Sequence, residues 1–93
     1  MSGIKEKFLI FYETKLLAHF SEEEKILVHL LPDNPHIIRM CEEHVRMNEL
    51  YSSIKTDDSK LGDDLFLFGE LLEAHIRFEE RELFPLIEQH LTE

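Results

Sequence analysis

His75 and Glu79 stand four residues apart in the run Leu71-Leu72-Glu73-Ala74-His75-Ile76-Arg77-Phe78-Glu79. On a helix that spacing puts both on one face, together with Phe68, Leu72, Leu83 and Leu86. An ionised carboxylate inside an apolar stripe is costly unless a cation or strong hydrogen-bond donors meet it there. A metal ion is the simplest partner for an imidazole and a carboxylate together. The pair occurs twice: His19 and Glu23 lie 56 residues earlier, and around them Leu16/Leu72, Ala18/Ala74, Glu24/Glu80 and Leu27/Leu83 coincide. A duplicated helix needing only an apolar face has no reason to keep this histidine and glutamate in step with its leucines.

The elements that must position these pairs follow from the pattern around them. The spacing predicts one long helix over about residues 4–31, with Phe8, Tyr12, Leu16, His19, Ile26 and Leu30 on one stripe and neither glycine nor proline to interrupt it. Glu23 falls inside that stripe. Glu22 and Glu24 are turned about 100° to either side and read as solvated surface. In Pro32-Asp33-Asn34-Pro35, Asn34 is suited to cap a second helix and Pro35 to begin it. That helix runs over about 35–54, with Ile37, Cys41, His44 and Tyr51 inward and His44 at the centre.

Thr56-Asp57-Asp58-Ser59-Lys60 reads as a connection, with Ser59 as the cap of a third helix over about 61–91. Within it Gly69 permits a close approach of a neighbour. Pro85 kinks it and frees the carbonyl of Arg81. The fold class is therefore all-α, an up-and-down bundle of three long helices forming a single domain over residues 1–93.

Together the helices offer His19, Glu23, His44, His75 and Glu79 as metal ligands. Three imidazoles and two carboxylates suit iron, manganese or zinc better than calcium, which prefers oxygen throughout. Two His/Glu pairs on facing helices can serve two ions, each histidine on one and each carboxylate bridging both, as di-iron bundles do. A lone histidine in an apolar stripe is more often a hydrogen-bonded core residue, and it is the repeated pairs that favour the metal. His29, His36 and His90 read as surface residues and Cys41 as a small buried apolar one. Tyr51 is a candidate to hydrogen-bond a ligand, and Glu82 to stand just outside the site.

Composition narrows the function further. With 93 residues, a net charge of −10 and only ten Lys and Arg against twenty acids, the chain has no basic surface for nucleic acid. No apolar run approaches the roughly 18 residues of a membrane span. The N-terminus has no secretory h-region and Cys41 is the single cysteine, so a reduced cytoplasm is expected. There is no strand-like alternation, phosphate-binding glycine loop, nucleophile elbow or CxxC, and no catalytic residue is assigned.

The run from Ala74 to Pro85, the earlier His19-Phe20-Ser21-Glu22-Glu23, and Glu43-His44 after Asn34-Pro35 resemble the hemerythrin-like family, or HHE cation-binding domain. The resemblance implies an up-and-down bundle around a non-haem di-iron centre, with His19, Glu23, His44, His75 and Glu79 as iron ligands and Glu23 and Glu79 bridging. It also implies sensing or handling of oxygen, nitric oxide or iron. Against that family the chain reads as beginning at the second of four helices. Asn48 stands where oxygen-carrying members have a further histidine, which argues against reversible oxygen transport.

Three helices leave an apolar groove along the site. Burying about 1,000 Å² of it contributes on the order of 25 kcal/mol gross before entropy, so a homodimer is expected to fill it. The competing expectation is a helical dimerisation module whose ligands are relics or hold a single zinc.

Overall fold

The computed structural model describes residues 2–92, which are almost wholly helical, and no strand occurs among them. Helix α1, residues 2–30, joins Ser2–Phe11 through a π turn at Tyr12–Leu16 to Leu17–Leu30. Helix α2 is Pro35–Thr56. Helix α3, residues 61–92, joins Leu61–Phe78 through a second π turn at Glu79–Leu83 to Phe84–Thr92. The three lie along a body of 51 × 19 × 18 Å, with α2 packed against both of the others.

The start of α2 follows the sequence closely: the Asn34 side chain accepts the His36 N–H at 2.8 Å, and Pro35 opens the helix. The start of α3 does not. Lys60 holds its N-cap position without a side-chain bond, whereas Ser59 gives its N–H to Asp57 Oδ1 at 2.9 Å. That turn, with its donors aimed at Asp57, holds the carboxyl of Asp57 below its ordinary range. Gly69 meets open space, and no close approach uses it.

The π turns matter most for what faces inward. In the first, Leu17 gives its N–H to the Tyr12 carbonyl, five residues back, so the turn holds one residue more than an α turn. Everything after it is set back by about 100°. The inward face of α1 therefore continues from Tyr12 through Phe20, Glu23 and Leu27, while His19, Ile26 and Leu30, expected on that face, are exposed. Thr14 supplies a local cause: its hydroxyl donates to the Ile10 carbonyl at 2.6 Å and competes with the helix ladder.

The second π turn sits just before Pro85, which lacks an N–H and crowds the carbonyl four residues back. The strain expected there as a kink is taken up as a widened turn, with Phe84 N–H bonded to the Glu79 carbonyl and both Glu79 and Leu83 buried.

The core is divided. Tyr12, Phe20, Met47, Ile54 and Phe68 form one apolar cluster and Leu27, Ile37, Met40, Phe78 and Leu83 another. His44 lies between Met40 and Met47 on α2, and His75 between Phe68 and Phe78 on α3, so the polar residues occupy the gap between the clusters. Large apolar side chains also remain outside, among them Ile10, Leu17, Ile26, Phe66, Phe84 and Leu91. No helix of the described residues is long and apolar enough to cross a membrane.

Candidate metal centre

Four side chains from three helices meet in that gap: Glu23 of α1, His44 of α2, and His75 and Glu79 of α3, each offering a ligand atom within 4.8 Å of the others. His44 Nε2 stands 3.1 Å from His75 Nε2 and 3.2 Å from Glu23 Oε1, and His75 Nε2 stands 3.3 Å from Glu79 Oε2. Phe20 walls the site, stacked on the His44 ring at 4.1 Å and edge-on to His75.

The outer nitrogens of both rings are already held. His44 Nδ1 donates to Glu24 Oε2 at 2.7 Å, and His75 Nδ1 donates to Glu43 Oε1 at 2.6 Å. A carboxylate only accepts, so each Nδ1 carries a proton, and each Nε2, once it has given up any proton of its own, turns a lone pair inward. The two Nε2 atoms face each other beside Glu23 Oε1 and Glu79 Oε2, two buried oxygens with no hydrogen-bond partner. Among the described residues no lysine or arginine forms an ion pair with Glu23 or Glu79. Four electron pairs converging with no cationic side chain between them fit a metal ion, and the mixed nitrogen and oxygen donors suit a borderline transition metal.

The proton affinities in the cage have the same origin. Burial pushes the His75 imidazole down, but Glu79 and Glu43 outweigh it and the ring is raised above the ordinary histidine value. Glu79 is pushed up by burial and by the adjacent Glu23. Burial acts on Glu23 too, yet the neighbouring His44, Glu79 and His19 carry it below the usual carboxylate value. The site draws positive charge, and protons are the smallest supply of it.

Of the five residues singled out from the sequence, the structure brings together Glu23, His44, His75 and Glu79 and leaves His19 on the outside. The His19 side chain is 57% exposed, with Nε2 3.6 Å from Glu23 Oε2. Tyr51 is also directed elsewhere, stacked on Tyr12 at 4.2 Å and donating its hydroxyl to Glu13. Glu82 reaches Arg39 and His36 instead of the cage.

Glu24 and Glu43 escaped the sequence reading, Glu24 because it was placed with the solvated acids. The available signal was adjacency: each directly neighbours an inward ligand, so each lies at the edge of the buried face and can reach across to the next helix. Arg39 holds Glu43 at 2.9 Å, extending the chain of contacts from the surface to His75.

The fold is thus an all-helical one whose helices close a carboxylate and histidine cluster that could hold a metal ion between two apolar clusters. The model of the hemerythrin HHE cation-binding domain matches residues 3–87. The chain belongs to that family. Neither a curated protein nor a solved structure matches it.

Proposed function

We propose that this chain is a non-haem metal-binding protein whose resident ion is iron, with zinc and manganese as chemically competent substitutes, and that it senses or handles oxygen, nitric oxide or iron itself. The observation that carries the reading is the pair of partnerless carboxylate oxygens, Glu23 Oε1 and Glu79 Oε2, facing two inward imidazole nitrogens. Iron held there would supply redox chemistry and coordination positions open to a diatomic ligand. The chain's own part is to orient the donors through Glu24 and Glu43 and to keep the neighbouring volume apolar with Phe20.

A homodimer belongs to the same proposal. Ile10, Leu17, Phe66 and Phe84 are exposed on α1 and α3, and a second copy offers a matching apolar surface.

The test is metal content and identity in untagged protein grown with iron and zinc, measured after gel filtration alongside sedimentation over a range of concentrations. Stoichiometric iron is expected. Trace metal only would overturn the metal reading, and a single-chain mass at every concentration would overturn the dimer. Stoichiometric zinc in the presence of ample iron would overturn the gas-ligand reading while leaving the cage.

A further inference from the structure

The geometry points to one ion per chain, held jointly by Glu23, His44, His75 and Glu79, in place of the pair of ions that the family's centre contains. The inference rests on the metal-binding reading above and fixes what the cage accepts.

The separation of the two imidazoles decides it. Metal bonds of about 2.0–2.2 Å place neighbouring ligand atoms on one ion about 3.0–3.6 Å apart. His44 Nε2 and His75 Nε2 are 3.1 Å apart, and the contacts to Glu23 and Glu79 are 3.2 and 3.3 Å. All three match the edge lengths of a single coordination polyhedron. Ions in two-metal sites lie about 3.5–4 Å apart. Imidazoles bound to different ions approach from opposite ends, so their nitrogens stand farther apart than the ions do.

The donors for a second ion are also missing from the cage. The Nδ1 atoms of His44 and His75 are committed to Glu24 and Glu43. Beyond the four, His19 Nε2 comes within 3.6 Å of Glu23 Oε2, but its side chain is 57% exposed, and no further donor among the described residues joins the two of them to complete the shell of a second ion. Among the described residues no other cluster of metal-binding side chains is present. Charge agrees: Glu23 and Glu79 together balance one divalent ion, and a second would bring uncompensated charge into a site walled by Phe20. Two histidines and two carboxylates leave part of an octahedral shell free, a set related to mononuclear non-haem iron(II) sites.

Mn(II) is the probe, added without oxygen to metal-free protein and followed by titration calorimetry and electron paramagnetic resonance. One equivalent is expected to bind, with the resolved hyperfine pattern of an isolated ion. His19→Ala should keep that equivalent, with a loss of affinity smaller than the about tenfold that even an outer partner costs. His19 lies at the surface, so this variant does not endanger folding. Two equivalents with an exchange-coupled spectrum, or loss of a bound ion in His19→Ala, would overturn the single-ion inference and leave metal binding intact. No Mn(II) and no Fe(II) bound to the wild-type chain would overturn the metal-binding reading itself.

Discussion

Loading the protein with Fe(II) or Mn(II) raises its melting temperature by on the order of 20 °C, and the gain grows as the pH rises. A ligand present at about 1,000 times its dissociation constant stabilises the folded state by about 4 kcal/mol. For a chain of 93 residues each kcal/mol moves the midpoint by about 4–8 °C.

The dependence on pH follows from the direction in which each cage residue is shifted. His75 is raised, so its contribution to the stability of the metal-free protein is complete below the ordinary value of 6.5 and is lost as pH rises through its folded value. Glu79, also raised, acts in the same sense from its ordinary 4.5 upward. Glu23, which is lowered, acts in the opposite sense: its contribution is present above 4.5 and is lost only as pH falls through its folded value. Above 4.5, then, the metal-free cage weakens as it gives up protons.

An arriving ion displaces those same protons, so its affinity increases with pH by up to about tenfold per unit for each one displaced. Melting curves with and without metal at about pH 5.5 and about pH 8 measure both trends. A larger gain at the acid end would show that the ion binds somewhere other than at His75 and Glu79.

The second large effect comes from the imidazoles. His44→Gln together with His75→Gln abolishes stoichiometric metal binding, because both nitrogen donors are lost and an amide is a poor replacement. Glutamine keeps most of the side-chain volume between the two apolar clusters, so circular dichroism should report nearly unchanged helicity. The outer carboxylates behave differently. Glu24→Ala and Glu43→Ala leave every ligand in place and release only the grip on Nδ1, for an affinity loss of about 10–100-fold. Titration of the three variants separates the roles. A tightly bound ion in the double glutamine variant would remove His44 and His75 from the site.

The helices were legible because their ends are written in residues with one local meaning. Asn34 and Pro35 begin α2 where expected, and the polar run from Thr56 to Lys60 separates α2 from α3. Extending a constant helical period is what failed. Counted from Tyr12 at an even pitch, the inward positions pass through His19 and Ile26, and the π turn moves them to Phe20 and Leu27. Glu23 survives because the inward face is wide enough to include it in either count, toward one edge once the π turn has moved the face. Pro85 announced a disturbance, but its form as a widened turn ending on Leu83 depends on packing that no local pattern states. Glu24 and Glu43 were hidden by an acid-rich surface on which adjacency to a ligand looks like one more charge.

A turn with a surplus residue gives α1 an unequal tolerance to changes in chain length. Loss of one residue between Tyr12 and Leu16 converts the wide turn into an ordinary one, and Phe20, Glu23 and Leu27 still face the core. Gain of one residue there, with the wide turn kept, rotates the rest of the helix and carries His19 into the place that Phe20 now fills. A single-codon deletion at this point is silent for the cage. A single-codon insertion rewrites its ligand set without changing any amino acid in it.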